Sequence, residues 1–359
     1  MIRLERRAVP AAKLSYVTPV IAVVLTMVFG GALFAALGKD PIAAIRTIFY
    51  EPLFGEFSFY YRPQLLVKAT PLLLIALGLA MGFRAGIWNI GAEGQYIVGA
   101  ICGAAVALAF YPLDSRIVFV LAVLAGMIGG ALWAMIPAFL KLRFGTNEIL
   151  VSLMLVYVAE NLLAAMALGP LKNPEGLGFP GSRNLTQYEA ANSWIAQDLG
   201  LHWGGVAAAV AVVVIFVLMG WHVLGFQIRV SGESPRAARF AGVRPQVLVV
   251  FCMAVSGMLA GVAGYFEVSG PSGQISIDFN SGYGFTAIIV AFLGRLHPIG
   301  ILLASFLMAL TYIGGEIAQN QLGLPAAAIQ AFQGMLLFFI LGLDVFTNYR
   351  LKLSQRGAA

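Results

Sequence analysis

Residues 82–95, Gly82-Phe83-Arg84-Ala85-Gly86-Ile87-Trp88-Asn89-Ile90-Gly91-Ala92-Glu93-Gly94-Gln95, separate two long apolar runs at 65–83 and 94–113. Four glycines and an Arg/Glu pair do not continue a membrane helix. Non-helical backbone near a bilayer is tolerated only where protein buries it or water reaches it. A carboxylate such as Glu93 at mid-bilayer costs about 2.5–3.5 kcal/mol on insertion scales unless it is paired or hydrated. The stretch is therefore either a cytoplasmic connection whose turn is bracketed by Arg84 and Glu93, or the floor of a cavity on a translocation path.

The rest of the chain sets this break in a membrane protein. Of 359 residues, 60% are hydrophobic and 11% charged, and the mean hydropathy is +0.89. Soluble domains carry about 25% charged residues, so a cytosolic globular enzyme is excluded. Continuous apolar runs, with 41 glycines and 16 prolines, also exclude a barrel of short alternating strands. The 25 uncharged residues between Lys13 and Lys39 make about 37 Å of helix, too long for a signal-peptide core. With 65–83, 94–113, 117–140, 149–168, 204–225, 245–266, 283–294, 298–315 and 325–343, this predicts an all-α integral membrane protein of about ten transmembrane helices in one domain spanning 1–359. Cys102 and Cys252 lie inside apolar runs and define neither a disulfide framework nor a zinc site.

Orientation follows from basic residues. With the N-terminus inside, 15 of the 22 Lys and Arg fall on the inner side, which predicts cytoplasmic tails at 1–13 and 344–359. Two outer segments are long. Residues 39–64 carry the aromatic group Phe57, Phe59, Tyr60 and Tyr61 and read as an interfacial segment, and residues 169–203, rich in Gly, Pro and Asn, as an external loop. The net charge of +6 is topology signal, and no nucleic-acid partner is expected.

Two further stretches carry function. A helix over 283–294 would rise only about 18 Å against a core of about 30 Å. It reads as a half-helix after chain that dips into the membrane, the kind of element near which transporters place substrate. A tilted helix packed by small residues is the alternative. On the inner side, in a loop over 226–244, Ser234 and Pro235 supply an N-cap and first helical residue, Arg236, Ala238 and Arg239 continue a short basic helix, and Gly242 stops it. A connector between adjacent spans needs only a few residues, so this capped helix predicts a docking role. There is no phosphate-binding G-x-x-x-x-G-K-[ST] run. His202, His222 and His297 are too scattered for a metal site, so neither catalytic nor metal-ligating residues are assigned.

The run from Asn89 to Gln95, set after Gly82 to Gly86, resembles the signature of permease subunits of bacterial ATP-binding-cassette (ABC) importers, in the nucleoside and simple-sugar branch of the branched-chain amino acid permease superfamily. Residues 225–243 and 284–300 agree with it, although Ser234 and His297 stand where the pattern has Asn, and Trp88 where an aliphatic is commoner. The resemblance implies a transport subunit of the bacterial plasma membrane that is not itself an enzyme and has no cofactor of its own. It further implies partner ATPase subunits that use ATP and magnesium, a second homologous or identical permease subunit, and an extracytoplasmic binding protein that delivers a nucleoside. Residues 235–241 then become the coupling helix, with Ser234, Pro235, Arg236, Ala238, Arg239 and Gly242 facing the ATPase. A nucleobase has a flat apolar face and polar edges, which places the path near Phe83, Trp88, Asn89, Tyr283, Phe285 and Thr286. Arg84, Gly91, Glu93 and Gly94 are expected to shape the turn, Glu93 in company with Arg84. A simple sugar or other small polar solute is the substrate alternative, and an ion-coupled secondary transporter using Glu93 and Glu160 the mechanistic one.

Overall fold

The computed structural model describes residues 2–6, 12–176, 178–279 and 282–353. The expected tails therefore fall partly outside the described residues, at 1, 7–11 and 354–359. The elements in chain order are β1 (Ile2–Arg6), α1 (Ala12–Ala36), α2 (Pro41–Phe49), α3 (Glu51–Phe54), α4 (Ser58–Arg84), α5 (Ala92–Ala109), α6 (Ile117–Phe144) and α7 (Glu148–Leu168). After them come β2 (Trp194–Ala196), β3 (Leu201–His202), α8 (Trp203–Trp221), α9 (Val223–Glu233), α10 (Pro235–Phe240), α11 (Pro245–Ser269), α12 (Tyr283–Leu293), α13 (Pro298–Leu322), α14 (Ala326–Asn348) and β4 (Tyr349–Leu353). Among the described residues nine helices are long and apolar enough to cross a membrane, and α12 is a shorter apolar one. This is the all-helical membrane fold expected from composition.

The chain packs as two compact units, Met1–Tyr61 with Leu310–Ala359, and Arg62–Ala309. In the first, Phe34 stacks on Phe332 at 5.8 Å, and Ala44, Ile48, Ala318 and Ile329 complete a buried cluster. Asp40 opens α2 by accepting hydrogen bonds from the amides of Ile42 and Ala43 at 2.9 and 3.3 Å, with Pro41 at the first helical position. The antiparallel pair β1–β4, in register Arg3 with Lys352 and Glu5 with Arg350, brings the two ends of the chain together.

The second unit is built on α5, α6 and α11. At Gly130, Gly257 and Gly261 an added Cβ would strike the facing backbone. Small residues four apart let these helices approach closely where dispersion, rather than the hydrophobic effect, holds helices together. Charge truncated the sequence reading of two helices. Helix α13 runs on through Glu316, which is exposed and has no reason to stop it, and α5 begins at Ala92, so Glu93 stands in its first turn and not in the preceding loop.

Residues 169–203, expected as an external loop, carry more structure than their composition predicts. Strands β2 and β3 form a small hairpin. Tyr188 donates to the carbonyl of Leu113 at 2.6 Å, and Tyr265 to that of Ala191 at 3.0 Å. The amides of Ser182 and Leu185 donate to the carbonyls of Ile275 and Gly273 at 2.8 and 2.7 Å. Two histidines prove to be helix caps: Nδ1 of His202 accepts from Gly204 and Nδ1 of His222 from Leu224, both at 3.1 Å. Burial pushes the His202 imidazole down to about 4, so it caps as a neutral acceptor at physiological pH.

Candidate functional site

Helix α4 ends on a left-handed glycine. The amide of Gly86 (φ 73°) donates to the Phe83 carbonyl at 3.1 Å, and that of Ile87 to the Gly82 carbonyl at 2.9 Å. This paired pattern closes a helix without unsatisfied carbonyls. Extended chain then carries Trp88 and Asn89 to the start of α5. The Asn89 side chain is buried and fully engaged. Its Nδ2 donates to Gln95 Oε1 at 2.9 Å and Ser256 Oγ at 3.0 Å. Its Oδ1 accepts from Gln95 Nε2 and from the Gly91 amide, each at 3.0 Å. Asn89 thus ties the turn to α5 and α11. Gly91 and Gly94 let the same turn lie against α7, since an added Cβ would meet Ser152 at the first and Val156 at the second.

The second interruption closes on the first. Helix α12 starts at Gly282, a residue with φ 73° and no capping side chain. The cap comes from Glu93, whose Oε1 accepts from the Gly282 amide at 3.2 Å and whose Oε2 accepts from the Gly284 amide. The Phe285 amide adds a third bond. A carboxylate on the positive end of a helix dipole is the favourable placement. Gly284 permits it, because a Cβ there would run into the backbone of Ala92 and Glu93. The expected pairing of Glu93 with Arg84 is corrected: Arg84 lies at the far end of the turn, where its carbonyl abuts Gly232, and the carboxylate is spent on α12 amides.

Around this joint Phe83 and Trp88 form an aromatic group with Phe292. Phe83 and Trp88 sit 5.1 Å apart, and both pack on Phe292, at 5.2 and 5.8 Å. Trp88 is 40% exposed and Phe285 38%, whereas Tyr283 and Thr286 are buried. Tyr283 instead anchors a polar cluster. Lys68 Nζ donates to its hydroxyl at 3.0 Å, and the Glu267 carboxylate hydrogen-bonds to the same side chain. Phe292 and Glu267 escaped the sequence reading. Glu267 carried a usable signal, because it stands alone as a charge at the end of the apolar run of α11.

Residues 226–244 hold more helix than the expected loop, since α9 runs to Glu233 before the short helix α10. Ser234 Oγ accepts from the Ala237 amide at 3.3 Å, and Pro235 takes the first helical position. The amides of Gly242 and Val243 close α10 onto the carbonyls of Arg239 and Ala238 at 3.0 and 2.9 Å, with Gly242 at φ 79°. One residue changes face. Ala238 is buried against its own chain, while Arg236 and Arg239 point outward and Phe240 is 95% exposed. Beside them an open cleft of about 570 Å³ is lined by Arg239 and residues 242–247.

Comparison with known proteins matches residues 62–341 to the family described as branched-chain amino acid transport system / permease component. The chain is 34% identical to a glucose ABC transporter permease protein of Haloferax volcanii, over 97% of this chain and 93% of that one. It is 28% identical to a guanosine ABC transporter permease protein of Bacillus subtilis, over 95% and 97% of the two chains. A nucleoside ABC transporter permease protein of Lactococcus lactis is likewise 28% identical, over 90% and 89%. The matched region contains the joint between α5 and α12, the aromatic group and α10 alike, and the chain belongs to this family of ABC transporter permeases, on its nucleoside and sugar side.

Proposed function

We propose that this chain forms the translocation pathway of an ATP-driven importer for a nucleoside, in a bacterial plasma membrane with both chain ends in the cytoplasm. The observation that carries the substrate reading is the group Phe83, Trp88 and Phe292, with Trp88 and Phe285 open beside it. A flat base gains offset-stacked contact there, and a weak, largely apolar surface lets it leave again. Guanosine and nucleoside permeases among the relatives agree with it. The identity to a glucose permease favours a second reading, a simple sugar.

ATP is hydrolysed in partner subunits, against which α10 presents Arg236, Arg239 and Phe240. A second permease subunit completes the pathway, and an extracytoplasmic binding protein delivers the substrate. In this arrangement the ion-coupled alternative has no role for Glu93, whose carboxylate caps α12. The test is uptake into proteoliposomes holding the chain with its partner permease, ATPase subunits and binding protein. Labelled guanosine should accumulate only with ATP inside, and excess glucose should not compete. ATP-dependent glucose uptake without guanosine uptake would replace the nucleoside by the sugar.

A further inference from the structure

Two arginines and a histidine of the second unit lie within electrostatic reach of one another at one end of α4. Arg84 is the last residue of that helix and is half-buried. No hydrogen bond or ion pair of its guanidinium is found among the described residues. Its backbone abuts Gly232 of α9, and one turn earlier on α9 stands Arg229, close enough to interact with Arg84. Arg229 Nη1 donates to the Met219 carbonyl at 2.7 Å, which leaves its charge uncompensated. The third member is His297, whose pKa is lowered by burial and by the charge of Arg84. Two half-buried guanidinium groups near each other are unfavourable unless an anion sits between them, and the neutral His297 imidazole beside them is a further N–H donor for such an anion. The dipole at the C-terminus of α4 offsets only part of one charge.

The surroundings indicate what that anion belongs to. His297 packs edge-on against Phe216 of α8 at 5.8 Å, and Phe216 in turn against Trp221 at 6.2 Å. Trp221 is 80% exposed at the end of a membrane-spanning helix, the position of an interfacial anchor. Helix α9 continues directly from it with Val223 and Phe226 65% and 56% exposed. These two residues lie one turn apart and in line with Arg229, the apolar stripe of a helix lying in the headgroup layer. We propose that Arg84, Arg229 and His297 form a binding site for the phosphate of an anionic phospholipid headgroup at the cytoplasmic leaflet, with the acyl chains along α8. The site depends on the orientation given above and not on the identity of the transported solute.

The probes are phosphatidylglycerol, phosphatidylcholine and inorganic phosphate, titrated onto the purified full-length chain in detergent and read by native mass spectrometry. Phosphatidylglycerol should bind saturably in preference to phosphatidylcholine. Arg84→Gln and His297→Gln should each weaken it, the former about fivefold, the effect of one basic residue at an anionic surface. Arg84→Lys should retain binding, and Arg236→Gln, on the outward face of α10, should leave it unchanged. Equal binding of the two lipids, full binding by Arg84→Gln, or an equal loss in Arg236→Gln would overturn the proposal. Displacement by inorganic phosphate at the same concentration would assign the site to a soluble phosphate. Loss of ATPase-subunit association in Arg84→Gln with lipid binding intact would assign it to the partner protein. Should Arg84→Gln fail to insert, full phosphatidylglycerol binding by His297→Gln overturns the proposal in its place.

Discussion

The two interruptions of the membrane helices solve one problem in opposite ways. After α4 the freed backbone is satisfied at short range, by the Gly86 and Ile87 amides bonding back to α4 carbonyls and by Asn89 Oδ1 accepting from the Gly91 amide. At the start of α12 it is satisfied at long range, by a carboxylate 189 and 191 residues earlier in the chain. The first break is a self-contained motif. The second half-helix exists only because the first break delivers Glu93 to it, so the two are one structural joint.

The sharpest way to break the joint is Gly284→Ala. A Cβ at this position meets the backbone of Glu93 and Ala92, and backbone, unlike a flexible side chain, cannot give way without moving α5 or α12. We expect loss of monodisperse protein in fluorescence-detected size exclusion. Wild-type yield and melting temperature would mean that the two helices are not in contact.

Next comes Glu93→Ala, set against Asn89→Ala. Loss of Glu93 strands buried amides of α12, each at about 1–3 kcal/mol, whereas Asn89→Ala strands one amide group of Gln95 and one Gly91 amide. Both variants should melt earlier in detergent, Glu93→Ala by the larger margin. An Asn89→Ala variant that melts like wild type yet fails in uptake would place Asn89 in the passage. Trp88→Ala should behave in the reverse sense. At 40% exposure its loss costs little stability, and uptake should fall several-fold with basal ATP hydrolysis of the assembled transporter retained. Unchanged uptake would detach the aromatic group from the substrate.

What was legible in the sequence follows the same division. Gly86, Ser234, Pro235 and Gly242 act within a few residues of themselves, so the turn after α4 and the whole of α10 could be read from spacing. The shortness of α12 was legible too, since it is fixed by the distance from Gly282 to Gly294. Hidden were the partners that only packing supplies: Glu93 to Gly284, Phe292 to Phe83 and Trp88, Lys68 and Glu267 to Tyr283. The inward turn of Ala238 was hidden for the same reason, because a helix of six residues shows too little periodicity to say which face is covered.

The smallest expected effect sharpens the comparison most finely. Tyr283 is held from two sides: Lys68 and Glu267 reach its hydroxyl, and its ring stands edge-on to Tyr96 at 5.9 Å. Tyr283→Phe keeps the ring contact and removes only the hydroxyl. A single buried hydrogen bond contributes about 0.5–1.5 kcal/mol, and bonds to charged groups about 1.5–3, but Lys68 and Glu267 can re-pair once the hydroxyl is gone. The net loss should therefore be about 1 kcal/mol, a small downward shift of the melting transition. If Glu93 alone fixes the helix start, Tyr283→Phe in a Glu93→Ala background should add only that same small shift. A combined shift clearly larger than the sum would mean that the two anchors back each other up, and the start of α12 would then be clamped jointly from α4, α5 and α11.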